Sequence, residues 1–456
     1  MQIRVDKLRK NLALLQPVVP KKATLPVLTH IRLMDGKMTA TDLETRVSID
    51  LNEAQGVAFL LPFKSILDVL KYVPGDDILT LDPNSKGVLK LSWHGGSAAF
   101  VVKDVSDYPD SDLKEPRAEG VLNGDMLIAA LAEALPYCST DTARAVLTGV
   151  SLYLGNVLQI AGADGFQLSY QSLKLSYPVK ETIIIPASTV AILVDLWRKE
   201  PGQLGLETTL VRQLTAARQL KLSLWDGAMG VKFGNITVIS KLIAGTPPDH
   251  LALLGNFQEP IKVRLMAPEL YNAVRRLQGI ARDGKGIVKL LWTDTQMTVF
   301  AHSEEMGDVQ ADIQVMAGSI PGRIALSVSY LLGYLEGKEG LITMGSTTAS
   351  GPALFHYGNK PIVAIMPMFV DWGDKQPSSE GPKAETAEEN PEPETEEKTP
   401  EEPETTEEPA DALTPETETK EEIPQEPSTE PVTAGVAAAA EETGKTKPKR
   451  RGRRKK

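Results

Sequence analysis

The residue types that could carry out catalysis are few and widely spaced in this chain. It has a single cysteine, Cys138, and five histidines, none of which stands at metal-ligand spacing to another or to the cysteine. The histidines are His30, His94, His250, His302 and His356. No GxSxG, P-loop or CxxC motif is present. We therefore expect a protein that is not an enzyme and that holds no metal or cofactor.

Two carboxylates in the segment TDLE are the nearest approach to an acid–base pair. Asp42 and Glu44 flank Leu43, so both side chains would lie on one face at the end of a strand. A polar turn with solvated or hydrogen-bonded carboxylates is the better interpretation. Cys138 follows a predicted helix, where a small side chain filling space is the simplest explanation.

The elements around these residues follow an order that recurs three times. Segments beginning at Leu61, Ile185 and Leu326 each have a polar or proline-containing start, an apolar helix, a Gly or Pro break and a strand. Pro fits the first turn of a helix at positions 62 and 186, and Ser327 could cap the third helix. We expect three copies of one structural unit.

Each unit also begins with an amphipathic helix and contains alternating strands. The predicted first helices cover residues 5–18, 123–137 and 267–281, and the predicted later strands cover 88–93, 220–225 and 353–358. The fold class is therefore α+β, with units of about 120–140 residues. The predicted domains are 1–117, 118–257 and 258–372, followed by a tail, 373–456.

Charge separates the body from the tail. Residues 374–456 contain 23 acidic and 13 basic residues. Residues 1–373 therefore contain 37 acidic and 36 basic residues, a net charge of −1. A nearly neutral body does not grip phosphates tightly, although it could surround DNA loosely. The single cysteine suits a reducing cytoplasm, and we found neither a signal peptide nor an apolar run of 18 residues. These features favour a soluble cytoplasmic protein without a membrane partner.

The tail itself has two parts. Residues 374–432 are dominated by Glu, Pro and Thr, a composition typical of disorder, whereas KTKPKRRGRRKK at 445–456 has nine bases in twelve residues. This basic tip is either a solubility tail or an arm that touches nucleic acid through its phosphates without reading sequence.

Four segments in order resemble the beta subunit of bacterial DNA polymerase III, the beta sliding clamp family. They are TLPVLTHIRLMDGKMTATDLE at 24–44, ADGFQL at 163–168, ISKLIAGTPPDHLALL at 239–254 and IVAIMPM at 362–368. The resemblance covers residues 1 to about 370 and excludes the tail. It implies a processivity factor that encircles duplex DNA as a head-to-tail homodimeric ring, with helices inside and sheets outside. It also implies a partner surface for polymerase and clamp-loader peptides.

The resemblance places a peptide pocket between the second and third units. The residues carried over to it are Leu147, Gly165, Phe166, Gln167, Leu168, Pro248, Leu253, Tyr330, Thr348, Ser350, Ile365, Met366, Pro367 and Met368. The alternative is that these are ordinary core residues at a domain boundary. Phe166, Gln167, Ala252 and Phe369 stand where the family usually has a His, an Arg or another basic residue, so we expect a partner peptide that is less acidic than the usual motif.

Two further surfaces follow from the same resemblance. The residues expected to face DNA are Lys7, Arg9, Lys10, Lys21, Lys22, Lys64, Lys71, Arg198, Lys199, Arg275, Arg276 and Arg282, although for any one of them a solvated helix face is as good an explanation. The dimer contact is expected to join the first domain of one subunit to the third of the other. The residues chosen for it are Phe100, Val102, Leu277 and Ile280.

Two rival hypotheses compete with this one. A divergent clamp-like scaffold, for example one encoded by a mobile element and serving another polymerase or a repair partner, would suit the altered pocket and the long tail. An unrelated three-domain binding protein or enzyme would instead be a monomer with small-molecule turnover.

Overall fold

The structure is a computed structural model of the whole chain. It describes residues 1–84, 87–110, 113–200, 218–255, 261–317, 319–346, 348 and 350–372, and all of these belong to one compact unit, Met1–Gln376. The predicted tail, 373–456, lies outside the described residues.

One order of elements occurs three times among the described residues: strand, helix, four strands, helix and three strands. The first repeat contains β1 Gln2–Arg4, α1 Val5–Leu15, β2 His30–Met34, β3 Lys37–Thr41, β4 Thr45–Asp50, β5 Ala58–Pro62, α2 Phe63–Leu70, β6 Ile78–Pro83, β7 Val88–Trp93 and β8 Gly96–Val101. The second contains β9 Ala118–Asn123, α3 Gly124–Ala134, β10 Gly149–Leu154, β11 Leu158–Ala163, β12 Gln167–Leu173, β13 Glu181–Pro186, α4 Ala187–Lys199, β14 Gln219–Trp225, β15 Ala228–Phe233 and β16 Ile236–Lys241.

A short helix, α5 His250–Gly255, precedes the third repeat. That repeat contains β17 Ile261–Met266, α6 Ala267–Asp283, β18 Ile287–Trp292, β19 Gln296–Ser303, β20 Gly307–Gln314, β21 Gly322–Ser327, α7 Val328–Leu335, β22 Leu341–Ser346, β23 Ala353–His356 and β24 Ile362–Ile365. The expected α+β class and the threefold order of elements are confirmed.

Two details of the predicted repeat are wrong. The strands aligned from sequence are not equivalent, because β14 is the first strand after its helix, whereas β7 and β23 are the second after theirs. Alternation of apolar and polar residues is the same in both kinds of strand and cannot tell them apart. Ser327 occupies the N-cap position of α7, but its hydroxyl hydrogen-bonds the Ser329 hydroxyl at 2.9 Å and makes no cap bond.

Apolar spacing explains why the helices form and which face each helix buries. In α1 the fully buried side chains are Val5, Leu8, Leu12 and Leu15, which recur every three or four residues and so form one stripe. Burying each leucine of such a stripe contributes about 1.5–3 kcal/mol. Asp6, Lys7 and Lys10 between them are exposed, whereas Asn11 is buried beside the stripe.

Antiparallel pairing joins successive repeats into continuous sheets. The fourth strand of the first repeat, β4, pairs with the last strand of the second, β16, with Thr45 opposite Ser240. In the same way β12 pairs with β24, with Gln167 opposite Ile365. Two eight-stranded sheets result, and two four-stranded sheets remain at the ends, in the orders β1-β6-β7-β8 and β20-β19-β18-β21. Within the described chain, β8 and β20 each have a neighbour on one side alone.

A chain of hydroxyl groups is buried at the first of these two seams. Thr189 of α4 lies 2.9 Å from the Thr45 hydroxyl and 2.7 Å from that of Ser240, and all three side chains are buried. Buried hydroxyl groups are costly unless they are paired, so this network favours the observed register of the seam.

Arg218, the residue just before β14, contacts the C-terminal end of α4. Its guanidinium group lies 3.9 Å from the Trp197 ring centroid and donates to the carbonyl oxygens of Trp197 and Glu200 at 3.0 and 2.8 Å. It also donates to the Asp125 carboxylate at 3.0 Å. These bonds satisfy carbonyl groups that a helix end otherwise leaves unpaired.

Replacing this arginine should therefore destabilise the second repeat. We expect Arg218→Ala to lower the free energy of unfolding by about 2 kcal/mol, because two helix-end carbonyls and Asp125 are deprived of charge-assisted donors. Urea titration followed by circular dichroism measures this, and Arg218→Lys should recover little because lysine lacks the planar fork. Arg117→Ala is the control, since its exposed pair with Glu181 should be worth less than about 1 kcal/mol. Equal losses for both would contradict the role given to Arg218.

Candidate functional site

The seam between β12 and β24 brings many of the predicted pocket residues together. Gln167 pairs with Ile365 and Leu168 with Ala364, although almost 200 residues separate them along the chain. One step further, the backbone N–H of Met366 donates to the carbonyl oxygen of Phe166 at 2.8 Å. Ile365 and Leu168 are buried beneath the seam, whereas Met366 and Phe166 are 46% and 53% exposed at its rim.

A tight turn before β12 aims Phe166 at the third repeat. The Asp164 carboxylate accepts from the backbone N–H groups of Phe166 and Gln167, both at 2.8 Å. Gly165 has a φ of +98°, and a Cβ there would lie 2.7 Å from Nη1 of Arg144. The turn therefore requires glycine at this position. The Phe166 ring stacks on Tyr330 of α7, with centroids 6.3 Å apart and planes 21° apart.

Helix α5 forms a second wall. Its Leu254 packs against the cluster of Ala161, Leu168, Tyr170, Leu354 and Ala364, and Leu253 beside it is exposed. The Pro248 carbonyl oxygen, just before the helix, accepts from the Tyr153 hydroxyl at 3.0 Å. Of the two predicted residues of this segment, Leu253 thus lies on the helix that packs over the seam, and Pro248 lies just before that helix.

The remaining predicted pocket residues lie outside the paired strands β12 and β24. Leu147 is buried at the end of a short 3-10 helix, Thr142–Leu147. Thr348 and Ser350 are exposed and lie 3.3 Å apart by their hydroxyl oxygens, beyond β22. Past Met366 the chain passes through Pro367, and the N–H of Met368 donates to the Ala325 carbonyl oxygen at 2.8 Å.

Sequence reasoning missed four residues that shape this surface: Arg144, Tyr153, Asp164 and His250. Asp164 could have been found, since an Asp shortly before an alternating strand, here three residues before β12, commonly accepts backbone N–H groups in a turn. The pairing of Tyr153 with His250 has no local sequence signal.

His250 is the titratable group most closely tied to α5. Its side chain is buried, the Tyr153 hydroxyl lies 2.7 Å from Nδ1, and Nε2 has no hydrogen-bond partner among the described residues. Burial lowers the pKa of His250 below its ordinary value of 6.5, although the neighbouring Asp249 opposes the shift. Protonation therefore costs more in the folded protein than in the unfolded chain.

This shift in pKa makes the stability of the protein depend on pH. Because the folded pKa lies below the unfolded one, stability is fully present above about pH 6.5 and falls as the pH drops toward the folded pKa. We expect the urea midpoint to fall from pH 7.5 to pH 5, with a smaller fall in His250→Gln. Part of the pH dependence of stability should remain in this variant, because burial also lowers the pKa of the half-buried His30. The exposed control His94→Gln should behave as wild type, and an unchanged slope in His250→Gln would refute the assignment.

The basic residues predicted to face DNA are exposed, with one exception. Arg9 donates to the carbonyl oxygens of Leu70 and Val73 and is partly buried, so it holds α1 against α2 instead of lying open. Several others pair with side chains: Lys7 with Glu53, Lys10 with Glu200, Lys199 with Asp195, and Arg275 with Gln278. Lys71 lies over the ring of Tyr72. The remaining residues have no pairing partner among the described residues, and they are Lys21, Lys22, Lys64, Arg198, Arg276 and Arg282.

The residues predicted for the dimer contact differ in how much surface they offer. Phe100 and Val102 are partly buried at the β8 edge, and Ile280 is partly buried on α6. Leu277 is 1% exposed, because its side chain points into the core of its own repeat. An amphipathic helix pattern marks an apolar face without saying what covers it, so this choice needs correction.

The groups considered for catalysis from the sequence have ordinary surroundings in the described residues. They contain no cluster of three His, Cys, Asp or Glu side chains placed to hold a metal. Asp42 lies in a turn, where its carboxylate accepts from the N–H groups of Glu44 and Thr45 at 3.0 and 2.7 Å. Burial raises the pKa of Cys138 to about 12, which disfavours a nucleophilic thiolate. Among the helices of the described ranges, none is long and apolar enough to cross a membrane.

Comparison with known proteins agrees with this architecture. Residues 122–249 match the family described as the DNA polymerase III beta subunit, central domain. The beta sliding clamp of Chlamydia muridarum is 21% identical over 365 residues, covering 77% of this chain and 94% of the relative. The beta sliding clamp of Staphylococcus aureus is 25% identical over 339 residues, covering 70% of this chain and 84% of the relative.

Solved structures share the fold. The DNA polymerase III beta subunit of Pseudomonas aeruginosa superposes with a TM-score of 0.71 at 20% identity, covering 81% of this chain and 100% of that one. The corresponding subunit of Thermotoga maritima superposes with a TM-score of 0.70 at 18% identity, covering 81% of this chain and 99% of that one. A central segment of this chain thus matches the central-domain model of the DNA polymerase III beta subunit, and the chain is similar over most of its length to beta sliding clamps and shares the fold of solved DNA polymerase III beta subunits.

Proposed function

We propose that this protein is a DNA sliding clamp, a processivity factor that encircles duplex DNA and tethers a DNA polymerase to it. Its three repeats correspond to the predicted domains 1–117, 118–257 and 258–372. The observation that carries the proposal is the repeated seam. Two junctions between repeats have the same strand pairing, and the strands at the equivalent positions of the first and third repeats, β8 and β20, are unpaired on one edge in the described chain.

A head-to-tail dimer would complete the pattern. β8 is the last strand of its repeat, like β16 and β24, and β20 occupies the position of β4 and β12. Pairing β8 of one subunit with β20 of another would make a third and a fourth seam. A heterologous contact used twice with closure gives a ring of two chains, in which both the β8 and the β20 edges are paired.

Backbone hydrogen bonds at the two internal seams support one register for the proposed seam. At the first seam Lys241 N–H donates to Glu44 O at 2.9 Å, and at the second Met366 N–H donates to Phe166 O at 2.8 Å. The equivalent donor is Val101, whose neighbour Val102 donates to Gly87 on the inner side of the sheet. The Val101 N–H therefore points to the open edge, and its acceptor would be Met306 O of a second copy. This register places Phe100 opposite Gly307 and Ala98 opposite Val309.

Exposed apolar side chains support the same contact. Val101 is 86% exposed on β8 and Met306 is 60% exposed just before β20. Ala98 and Val309 correspond to Val238 and Val47, which are fully buried at the first seam. The proposed interface therefore moves from the α6 residue Leu277 to the strand β20.

For DNA, the clamp needs weak contacts that let it slide. Lys21, Lys22 and Lys64 of the first repeat and Arg276 and Arg282 of the third are exposed and have no ion-pair partner in the described chain, whereas the second repeat contributes Arg198 alone. Since α3 contains no basic residue, phosphate contacts should concentrate on the first and third repeats. These repeats meet at the proposed dimer seams.

Neutralising two of these lysines tests the distribution. We expect Lys21→Gln combined with Lys22→Gln to weaken duplex binding and to reduce the salt dependence, d log K/d log[salt], by about 1.8, or 0.9 for each phosphate that is no longer neutralised. Fluorescence anisotropy at several salt concentrations measures both. Lys37→Gln combined with Lys90→Gln, at exposed strand positions, is the matched control and should change neither. A larger effect in the control would count against the proposed DNA face.

The partner surface is the rim of the second seam. Phe166, Leu253 and Met366 offer apolar area around buried Leu168 and Ile365, and apolar walls with few polar groups suit a short linear peptide. Polymerase and clamp-loader peptides are the proposed occupants, and methionine adapts to several such sequences.

Topological retention on DNA tests the function as a whole. Loaded onto a nicked circular plasmid, the purified protein should elute with the DNA in gel filtration and should be lost when the plasmid is cut once. The uncut plasmid is the control for non-specific contacts. Equal retention on both forms, or on neither after loading, would overturn the proposal.

A further inference from the structure

The rim of the second seam includes a short segment, residues 366–372, that follows β24 and carries Met366. Apolar burial alone does not hold this segment, since Met366 is 46% and Phe369 is 95% exposed. Its beginning is tied down by the backbone, because the N–H groups of Met366 and Met368 each donate to a carbonyl oxygen at 2.8 Å. A segment bound at one end only would open from the other end. Contacts at its far end therefore matter for Met366.

The far end is anchored by Trp372 on two cations. The charged groups of Arg323 and Lys289 lie 4.8 and 5.4 Å from the centroid of the Trp372 ring. Cations within about 6 Å of a tryptophan ring centroid are attracted to its face. Lys289 Nζ also donates to the carbonyl oxygen of Asp371 at 2.6 Å. These three contacts hold the last residues of the segment against the sheet.

The anchor lies on the face of the β20-β19-β18-β21 sheet that is opposite the helices. In β18 the side chains of Val288 and Leu290 are fully buried in the core that α6 and α7 share, so Lys289 between them points to the other face. Arg323 comes from the neighbouring strand β21. Trp372 therefore contacts side chains from two paired strands, which fixes its position relative to the sheet.

The first repeat contains the same kind of contact at the same place. Arg32 is the third residue of β2, as Lys289 is of β18, and its guanidinium group lies 5.5 Å from the ring centroid of Tyr108. Tyr108 belongs to the connection that follows β8 and leads to the second repeat. In the third repeat the contact stands instead at the end of the segment that carries Met366. Its recurrence indicates a built feature of the repeat and not a chance approach of side chains.

We propose that Trp372 is a positioning residue of the partner surface: by anchoring the 366–372 segment to Lys289 and Arg323, it keeps Met366 where a partner peptide needs it. This role rests on the proposed function, because it requires that partners bind the rim of the second seam. Only molecules with the segment in place bind, so the apparent dissociation constant rises as their fraction falls. Trp372 thus acts through Met366 by reducing the ordering that binding requires.

Hydrogen exchange of the full chain alone tests the anchor without any partner. We expect Trp372→Ala to raise the exchange rates of the Met366 and Met368 amides at least about 10-fold, because the segment then opens from its far end. Trp372→Phe keeps an aromatic face for the cations and should stay within about threefold of the unsubstituted chain. The matched control is Tyr72→Ala, which removes a contact of the same length, 5.4 Å from Lys71, in the first repeat. It should leave both amides unchanged.

Peptide binding tests the positioning. The probe is a fluorescent synthetic peptide with the clamp-binding sequence of the host DNA polymerase, titrated into the full chain and followed by anisotropy. We expect Trp372→Ala to weaken binding about 5-fold and Trp372→Phe to restore it. In a Met366→Ala background, Trp372→Ala should change the affinity less than about twofold, because residues that act together are not additive. A merely structural role would lower the urea midpoint without this coupling.

Two results would overturn the role of Trp372 and leave the clamp function intact. They are amide exchange that Trp372→Ala does not change, and losses of affinity that add fully in the double variant. If the unsubstituted chain binds no peptide, the partner surface itself fails and the role of Trp372 falls with it. Retention of the unsubstituted chain on nicked circles is read separately, so it distinguishes a failure of the clamp function from a failure of the anchor.

Discussion

A chain carrying Ala98→Cys and Val309→Cys should convert almost completely into a covalent dimer under mild oxidation. In the proposed register these residues face each other as a pair without mutual backbone hydrogen bonds, with Cα atoms about 4.5 Å apart. That separation is within the range of disulfides. Two crosslinks would form per ring, and non-reducing gel electrophoresis would show a dimer that dithiothreitol returns to monomer.

The control tests the face as well as the register. Ser97→Cys with Val309→Cys puts one thiol on the opposite side of the sheet, so it should remain mainly monomeric. The native Cys138 is partly buried and can stay in both proteins. Efficient crosslinking of the control, or none in the test pair, would contradict the seam, whereas a closed crosslinked ring should no longer load onto circular DNA.

Met366→Asp should abolish most partner binding without unfolding the protein. Its side chain is 46% exposed at the rim of the second seam, so a carboxylate is tolerated in the free protein but is desolvated beneath an apolar peptide. We expect at least about 30-fold weaker binding of a polymerase or loader peptide, equivalent to about 2 kcal/mol. Isothermal titration calorimetry measures the affinity, and thermal unfolding checks that stability is kept.

Met126→Asp is the matched control, because this methionine is 40% exposed on α3 and lies outside the proposed pocket. It should bind the peptide as wild type does. The same titrations address peptide charge: Phe166, Gln167, Ala252 and Phe369 are uncharged, so acidic and neutralised versions should differ by less than about threefold. Clear preference for the acidic version would refute the expectation of a less acidic partner.

Local periodicity accounts for what could be predicted from the sequence. The first helix of each repeat is predicted to within three residues at either end, because buried side chains such as Leu8 and Leu12 recur at helical spacing. The strands after the helices were misaligned because alternation identifies a strand but not its place in a sheet. The pairing of Gln167 with Ile365 has no local signal, so the pocket could be reached only through resemblance to a family.

Burial explains why the dimer contact was the hardest surface to predict from the sequence. Leu277 and Ile280 occupy one apolar stripe of α6, yet the former is sealed in the core and the latter is partly exposed. A stripe that covers its own repeat cannot be distinguished by spacing from one that covers a partner. Conversely, the β8 and β20 edges carry few large apolar side chains, and their importance comes from unpaired backbone groups.

The continuous sheets also determine where such a ring would open. The two seams inside the chain pair strands of the same polypeptide. If such a pair of strands separates, the strands remain at a high effective concentration and can pair again. A seam between β8 and β20 has no such tether, and its strands diffuse apart once separated. A clamp loader would therefore need to separate only one seam between subunits for duplex DNA to enter the ring. The seams within each chain would stay paired or re-form quickly.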